Sequence, residues 1–338
     1  MEHILITGGL GFIGLNLISK LSKTKKYFIH NIDNFTLGHS YFERFLSMDQ
    51  KNTIKTYNFD INEKDQITAI LNEFKIKKCY HLAAESHVDR SILDPKFFFS
   101  SNVMGTLNLV ESCRDYINKK NLDDFRFLHV STDEVFGDLD LNEGYFDEKT
   151  PYNPSSPYSA SKASSDFILN SWSRTFNFPC IITNCSNNFG SCQNLEKFIP
   201  KTISNFYFGK KMPLYGNGKN VRDWLYVDDH VDVLINLMDK AKIGEQYVIG
   251  GGMEISNIDL MRKIYDSMIK FNFNPKLKFE KSFKYVEDRK GHDLRYAIDR
   301  YKLDKDFPNL KWTNFDNALL KTIEFYAIEI NNEYSEKI

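Results

Sequence analysis

A tyrosine and a lysine four residues apart are the first residues whose spacing suits catalysis. Ser156 and Pro157 predict the start of a helix, with serine as the N-cap and proline in the first turn. On that helix Tyr158 and Lys162 share one face. The lysine ammonium is expected to lower the pKa of the phenol from about 10 toward neutral pH. Such a tyrosine can take the proton of a hydroxyl group while a hydride leaves the same carbon.

A second group of reactive side chains, Thr132, Asp133 and Glu134, comes directly after a predicted strand. Ligands of open α/β sheets bind beyond the carboxyl ends of the strands. Two adjacent carboxylates are costly to ionise together, so one pKa should rise and leave a proton donor beside a base. Elimination of water needs such an acid and base. The candidate catalytic residues are Thr132, Asp133, Glu134, Tyr158 and Lys162.

A glycine-rich turn follows the first predicted strand. The segment from Gly8 to Gly14 satisfies the pattern GxGxxG, and its glycines allow a tight turn, the approach of a pyrophosphate and close packing of a helix on a strand. Asp33 ends the second predicted strand, about 20 residues further on, where a carboxylate can accept hydrogen bonds from ribose hydroxyls. Because that carboxylate would repel an extra phosphate, the pattern predicts NAD and not NADP as the cofactor.

The elements that must position these residues alternate between strands and helices through the first half of the chain. This alternation predicts an α/β fold, a Rossmann-type doubly wound parallel sheet with a smaller α/β substrate-binding domain. Predicted strands cover residues 4–7, 28–33, 53–59, 79–83, 127–131 and 180–184, and predicted helices cover 14–22, 64–74, 97–116 and 157–176. We expect a cofactor domain at 1–185 with a returning segment at about 223–250, and a substrate domain at 186–222 and 251–338.

Composition excludes several classes of function. The 338 residues carry 44 basic and 45 acidic side chains, a formal charge of -1, which favours neither nucleic acid nor an anionic membrane as a partner. Apolar runs are far shorter than a membrane span, and the chain begins with a strand pattern where a secretory signal would have an apolar core, so we expect a cytoplasmic protein. Five cysteines without metal-binding spacing are expected to be reduced thiols, and we expect no metal site.

Eight segments of the sequence resemble those of a known family. The strings ITGGLGFIG, HLAAESHVDRSI, VSTDEVFG, PSSPYSASKASSD, TNCSNNFG, EKFIP, LYGNGKNVRDWLYVDDH and DRKGHDLRYAID resemble those of the dTDP-glucose 4,6-dehydratase family, within the extended short-chain dehydrogenases/reductases. They extend from residue 4 to about residue 300, and together they are highly specific. The resemblance implies an NAD-dependent hydro-lyase that converts a nucleoside-diphosphate glucose, with dTDP favoured over UDP, to a 4-keto-6-deoxy sugar nucleotide of rhamnose-type deoxysugar biosynthesis.

The resemblance also implies a role for each reactive side chain. Tyr158 would deprotonate the glucose 4-hydroxyl with help from Thr132 and Lys162, as hydride passes from C4 to NAD. Glu134 would then remove the C5 proton while Asp133 protonates the departing C6 hydroxyl, after which hydride returns to C6. A homodimer that pairs helices such as 97–116 and 157–176 is implied as well.

Contacts to the two ligands follow from the same resemblance. The implied NAD-binding residues are Gly8, Gly11, Phe12, Ile13, Gly14, Asp33, Asn34, Phe35, Thr36, Asp60, Ile61, Leu82, Ala83, Ala84, Glu85, Ser86, Ser101, Tyr158, Lys162 and Asn188. The implied sugar-nucleotide-binding residues are Ser86, Thr132, Asn187, Glu196, Lys197, Pro213, Leu214, Tyr215, Arg222, Asn257, Asp288, Arg289, Lys290, Gly291 and His292. Arg222 and Arg289 are expected to fork onto diphosphate oxygens. Two loop segments depart from the family pattern: SCQN at residues 191–194 and LGHS at residues 37–40. The departure at 191–194 is expected to affect the fit of the substrate.

Two other functions fit part of the pattern. A UDP-sugar 4-epimerase shares the fold, NAD, the tyrosine and the lysine, but does not need Asp133 and Glu134. A non-catalytic NAD-binding scaffold would usually have lost Tyr158 or Lys162. A nucleotide-sugar decarboxylase is disfavoured because nothing in the sequence suggests a site for a substrate carboxylate.

Overall fold

The computed structural model describes residues 1–35, 39–288 and 291–335. Thr36, Arg289 and Lys290, which the resemblance assigns to the ligand sites, lie outside the described residues. The twelve strands of the described part are β1 (Glu2–Thr7), β2 (Tyr27–Asp33), β3 (Ile54–Asn58), β4 (Ile76–His81), β5 (Arg126–Thr132), β6 (Cys180–Cys185), β7 (Asn187–Phe189), β8 (Met212–Tyr215), β9 (Val221–Tyr226), β10 (Gln246–Ile249), β11 (Glu254–Ser256) and β12 (Phe283–Val286).

The helices surround these strands. The α-helices of the described part are α1 (Phe12–Lys23), α2 (His39–Phe45), α3 (Met48–Lys51), α4 (Lys64–Glu73), α5 (Val88–Leu93), α6 (Pro95–Phe99), α7 (Thr106–Lys120), α8 (Pro157–Phe176), α9 (Phe198–Phe208), α10 (Val227–Lys240), α11 (Asn257–Lys270), α12 (Tyr301–Asp306) and α13 (Phe315–Ser335). A π-helical turn (Ser100–Gly105) joins α6 to α7, and short 3₁₀ turns occupy Asp133–Phe136 and Phe279–Lys281.

Seven parallel strands form the large sheet, in the order β10-β6-β5-β4-β1-β2-β3. The chain starts in β1 and runs outward through β2 and β3, then returns to the other side of β1 and continues through β4, β5, β6 and β10. The strand order therefore reverses between β1 and β4, which is the switch point where doubly wound sheets bind ligands. The predicted fold class is confirmed.

Two apolar cores cover the two faces of this sheet. In β1, Ile4 and Ile6 pack with residues of α1 and α10 on one face, while Leu5 packs with residues of α4 and α7 on the other. Both faces of a parallel sheet are thus buried, as its near-continuous apolar strands require. None of the helices in the described ranges is long and apolar enough to cross a membrane.

The second half of the chain contributes smaller sheets. Strands β11, β9 and β7 form a three-stranded sheet, and β12 pairs with β8. Of the segment expected to return to the cofactor domain, only β10 enters the large sheet, whereas β9 pairs in the three-stranded sheet. The predicted domain boundaries stay a prediction.

The last helix, α13, bonds to the loop between β7 and α9. In α13 the buried Tyr326 hydroxyl donates to the carbonyl oxygen of Gln193 at 2.6 Å and lies 3.3 Å from that of Gly190. These carbonyls belong to the loop between β7 and α9, so α13 holds that loop against the carboxyl end of the large sheet.

Candidate active site

The glycine-rich turn leaves no room for side chains at two of its positions. Gly8 has φ +72, and a Cβ there would lie 2.6 Å from the Ala83 backbone. At Gly14 a Cβ would lie 2.2 Å from the carbonyl oxygen of Gly8. Helix α1 begins at Phe12 with Gly11 as its N-cap, so its first N–H groups face the cleft beyond β1. A helix N-terminus of this kind suits a phosphate group.

Asp33, the last residue of β2, bonds to the backbone of the glycine-rich turn. Its buried carboxylate accepts hydrogen bonds from the backbone N–H groups of Leu10 and Phe35, both at 2.9 Å. These bonds fix the carboxylate at the mouth of a small pocket. A carboxylate at this position can accept hydrogen bonds from ribose hydroxyls.

Eleven of the residues expected to bind NAD line the small pocket. Its lining is Gly8, Gly11, Ile32, Asp33, Asn34, Phe59, Asp60, Ile61, Leu82, Ala83, Ala84, Glu85 and Ser101. Ile32 and Phe59 were not predicted, because apolar strand residues carry no signal beyond a core pattern. Phe35 was predicted here but does not line the pocket; its N–H supports Asp33 instead.

A larger cavity of about 460 Å³ continues from the small pocket, since Gly8, Gly11, Leu82 and Ala84 line both. Of the predicted residues, it is also lined by Phe12, Ile13, Gly14, Ser86, Thr132, Asp133, Glu134, Tyr158, Lys162, Asn187, Asn188 and Lys197. The remaining lining was missed by the sequence reasoning and consists of Tyr41, Val130, Ser131, Cys185, Ser186, Cys192, Gln193, Asn194 and Leu195. The segment SCQN thus forms part of the cavity wall. All five candidate catalytic side chains face one space that a dinucleotide and a second ligand could share.

The acidic residues are held by a tight turn at the end of β5. Thr132 is the last strand residue, and its hydroxyl accepts from the N–H of Glu134 at 3.2 Å while it lies 3.3 Å from Oδ1 of Asp133. Asp133 is only 1% exposed, and its Oδ2 has no hydrogen-bond partner in the described part of the chain. Burial, reinforced by the negative charges of Glu134 and Asp223, raises the pKa of Asp133 well above its usual range. The shift favours the protonated form of Asp133, the direction that the adjacent carboxylates predict.

Helix α8 begins next to this turn and carries the tyrosine and the lysine. Ser156 and Ser159 form a reciprocal capping box that fixes the start of the helix. Tyr158 and Lys162 are both buried, and the Thr132 hydroxyl is within hydrogen-bonding reach of the phenol. The N-cap and helix start predicted from the sequence are confirmed.

The prediction that the Lys162 ammonium lowers the pKa of the Tyr158 phenol was wrong. Burial and the charge of Glu134 raise the pKa of Tyr158 well above 10. Lys162 donates to the carbonyl oxygen of Val130 at 3.0 Å, and burial lowers its own pKa to about 8. Helical spacing places the two residues on one face, but it does not specify where a long side chain directs its charge.

The outer residues expected to bind a sugar nucleotide do not line the cavity. Both terminal nitrogens of Arg222 donate to backbone carbonyls, among them that of Asp293 at 2.9 Å, and the guanidinium stacks on Tyr296 at 4.1 Å. The expected fork onto diphosphate would require Arg222 to leave some of these bonds. Glu196 accepts from Arg90 at 2.7 Å. The other described members of this set are Pro213, Leu214 and Tyr215 in β8, Asn257 at the start of α11, and Asp288, Gly291 and His292 in the loop after β12.

Known proteins share this arrangement of fold and sequence. The dTDP-glucose 4,6-dehydratase of Escherichia coli is 41% identical over 98% of this chain and 94% of its own length. The dTDP-glucose 4,6-dehydratase of Streptomyces venezuelae, solved with NAD bound, has a TM-score of 0.87 and 33% identity, with 98% of each chain covered. That of Bacillus anthracis, also solved with NAD, has a TM-score of 0.84 and 35% identity over 99% of this chain and 98% of its own. A family model described as GDP-mannose 4,6 dehydratase matches residues 5–319, and this chain therefore belongs to that family of nucleotide-sugar 4,6-dehydratases.

Proposed function

We propose that this protein catalyses the NAD-dependent 4,6-dehydration of a nucleoside-diphosphate glucose, dTDP-glucose or UDP-glucose, to the 4-keto-6-deoxy sugar nucleotide. The observation that carries the proposal is the buried Asp133, whose pKa is raised, next to Glu134 in the same cavity as Tyr158 and Lys162. Removal of water needs a proton donor for the leaving hydroxyl and a base for the neighbouring carbon. An enzyme that only oxidises and reduces C4 needs neither.

The fit of the cofactor rests on three features of this chain. The glycine turn presents the N-terminus of α1 to a pyrophosphate, Asp33 is fixed for a ribose, and the small pocket opens directly into the larger cavity. When bound, NAD supplies a hydride acceptor that carries a positive ring charge, and it returns the hydride later in the same turnover.

The first chemical step belongs to Tyr158. Its pKa is raised in the protein alone, and the positive ring charge of bound NAD would favour the phenolate. In that form Tyr158 takes the proton of the 4-hydroxyl as the C4–H bond breaks and a carbonyl forms at C4. Thr132 lowers the pKa of the phenol by hydrogen bonding, and Lys162 supplies an ammonium donor in the same cavity. The new carbonyl makes the hydrogen on C5 acidic.

The acidic residues then divide the elimination between them. Glu134 takes the C5 proton, and Asp133 gives its proton to the C6 hydroxyl as the C6–O bond breaks, so one water leaves. Glu134 returns its proton to C5, while bound NAD would supply the hydride for C6, and the product is complete. Passage of the proton from Tyr158 to Asp133 restores both side chains, so the net change is loss of one water.

A second copy of this chain is the proposed partner. Helices α5, α6 and α8 and the π-helical turn expose large apolar side chains, and these elements pack against one another. The exposed side chains are Leu93, Phe97, Phe99, Met104, Phe167 and Phe176. Large apolar side chains exposed on helices that pack together favour a protein interface. The expected cytoplasmic location stays a prediction.

Turnover of dTDP-glucose and UDP-glucose by the purified protein, followed by mass, tests the proposal directly. A product lighter by one water from either substrate is expected, and the ratio of the two kcat/KM values identifies the preferred base. An unchanged mass with conversion to the galactose epimer would instead establish an epimerase. No reaction of either sugar, with NAD still tightly bound, would favour a non-catalytic scaffold.

A further inference from the structure

A buried carboxylate lies behind Lys162, four residues further along the same face of α8. Asp166 is 0% exposed, and its Oδ2 accepts hydrogen bonds from the Tyr152 hydroxyl at 2.9 Å and from Asn184 Nδ2 at 3.0 Å. Its Oδ1 lies 3.2 Å from Nε2 of His129 in β5, without another hydrogen bond within the described residues. Asp166 does not line the cavity, and the proposed chemistry does not use it.

His129 connects this carboxylate to the lysine. Its Nε2 lies 3.4 Å from Nζ of Lys162 and 3.2 Å from Oδ1 of Asp166, and its Nδ1 has no hydrogen-bond partner in the described part of the chain. One ring nitrogen cannot accept from an ammonium and donate to a carboxylate at the same time. The imidazole stays uncharged, because burial and the Lys162 charge hold its pKa well below the usual range.

The charge balance around Lys162 depends on Asp166. The titratable groups that face the ammonium are Tyr158 and Asp166 from α8, His129 from β5, Cys185 from β6 and His81 from β4. Burial raises the pKa of Tyr158 well above 10 and that of Cys185 to about 12, and it keeps both histidines neutral. Burial raises the pKa of Asp166 only to about 6, because Lys162 and the donors at Asn184 and Tyr152 stabilise its charge. Asp133 and Glu134 face the same cavity as Lys162 from the turn after β5. Of the two groups whose charges raise the Lys162 pKa, Asp166 and Cys185, Asp166 is the carboxylate, and it lies outside the cavity.

We propose that Asp166 is a positioning residue whose carboxylate keeps the buried Lys162 protonated and held at the Val130 carbonyl, on the wall of the cavity. For its kinetic consequence this inference rests on the proposed dehydratase function. Without the carboxylate, a fully buried ammonium has no counter-charge and loses its proton at lower pH. Neutral Lys162 cannot supply the ammonium that the first step uses.

The protonation of Lys162 can be measured without any turnover. Protein labelled with ¹³C at the lysine ε-carbons is titrated by NMR, and Lys162→Met assigns the signal. In Asp166→Asn the pKa of Lys162 should fall by about one to three units, the range expected for loss of a nearby opposite charge. Asp229→Asn is the matched control, because Asp229 is also buried and accepts from Thr313 at 2.7 Å, but its charge does not contribute to the Lys162 pKa shift. An unchanged Lys162 titration in folded Asp166→Asn would overturn the proposal.

Tyr152→Phe keeps the test decisive if Asp166→Asn does not fold. This variant removes one donor to Asp166 and weakens its charge, so the Lys162 pKa should fall in the same direction but by less. A Lys162 pKa that is unchanged in this variant as well contradicts the proposal.

The pH profile of turnover tests the consequence for catalysis. Activity that needs protonated Lys162 is lost as pH rises through its pKa of about 8. In Asp166→Asn this alkaline limb should move to lower pH, whereas in Asp229→Asn it should stay in place. A limb that does not move, despite a shifted NMR titration, would exclude the catalytic role of Asp166. A shifted NMR titration in a protein that turns over no nucleotide sugar supports the electrostatic link and rejects the proposed function alone.

Discussion

Asp133 and Glu134 are neighbours in sequence but differ in environment. The turn after β5 buries Asp133 almost completely, whereas Glu134 remains half-buried in the cavity. Sequence reasoning could predict that one of two adjacent carboxylates has a raised pKa, because neighbouring negative charges repel. It could not identify burial of Asp133, which is the larger cause of the shift. It could not predict that Lys162 would point toward Val130, since side-chain direction depends on the packing of α8 on β5.

Replacement of Glu134 by Gln should separate the two halves of the proposed reaction. Oxidation at C4 uses Tyr158 and should persist, while removal of the C5 proton should slow by about 100- to 10,000-fold, the usual contribution of a general base. The near-ultraviolet absorbance of a reduced nicotinamide should then accumulate after mixing with substrate. Glu143→Gln, at an exposed position, is the control and should turn over normally. Normal product formation by Glu134→Gln would remove Glu134 from the mechanism.

Asp133 should lower the stability of the protein at neutral pH. Its folded-state pKa is raised above the usual aspartate value of 3.8. The folded state therefore holds a proton that the unfolded chain releases, and stability falls as pH rises from about 4 toward the folded pKa. Asp133→Asn should raise the melting temperature by a few degrees at pH 7 and by much less at pH 4. Equal melting shifts at both pH values would show that the carboxyl charge is not the cause.

At the scale of elements, the π-helical turn is the feature that sequence periodicity did not show. Residues 97–116 were predicted as one helix, and their helical character is confirmed, but the wider turn at 100–105 interrupts the α-helical hydrogen bonds. In this turn Asn102 donates to the carbonyl of Glu85 and to the hydroxyl of Ser161, and accepts from the Glu85 N–H. A buried amide thus joins the loop after β4 to α8. An apolar periodicity has the same appearance with or without one extra residue in a turn.

Asn102→Ala should cost about 2–3 kcal/mol of unfolding free energy, because it removes two hydrogen bonds to the backbone of Glu85 and one to the hydroxyl of Ser161. Affinity for NAD should fall as well, since Glu85 lines the small pocket. Denaturant unfolding and a fluorescence titration with NAD measure the two effects. Asn108→Ala is the control in the adjacent α7, where the amide is only half-buried and bonds to Asn62. Similar losses in both variants would mean that the π-helical turn has no special part in the site.

On the scale of the whole molecule, the parallel sheet and its switch point followed from the order of strands and helices in the sequence. The contacts of residues in the second half of the chain could not be predicted in the same way. Arg222 was expected at a diphosphate, yet its guanidinium is bonded to carbonyls and stacked on Tyr296, because β9 belongs to the three-stranded sheet. Long-range pairing of short strands leaves little pattern in a single sequence.

Met104→Asp should convert the proposed homodimer into a monomer. Met104 is 48% exposed on the apolar surface of the helices, and a charge there would be buried without a partner on association. Size-exclusion chromatography with light scattering at micromolar concentration measures the change. Tyr301→Asp, at a 68% exposed position in α12, should leave the mass unchanged. A monomeric wild-type protein would refute the proposed partner.

The contact between Tyr326 and the carbonyl of Gln193 has a consequence for the timing of activity in the cell. Gln193 is part of the cavity wall, but the residue that holds its loop lies 133 positions later in the chain. During synthesis the cofactor turn, β5 and α8 leave the ribosome long before α13 does. A nascent chain therefore contains every proposed catalytic side chain while one wall of the cavity still lacks its support. We therefore expect this wall of the cavity to be complete only after the last helix has been made and has packed onto the loop.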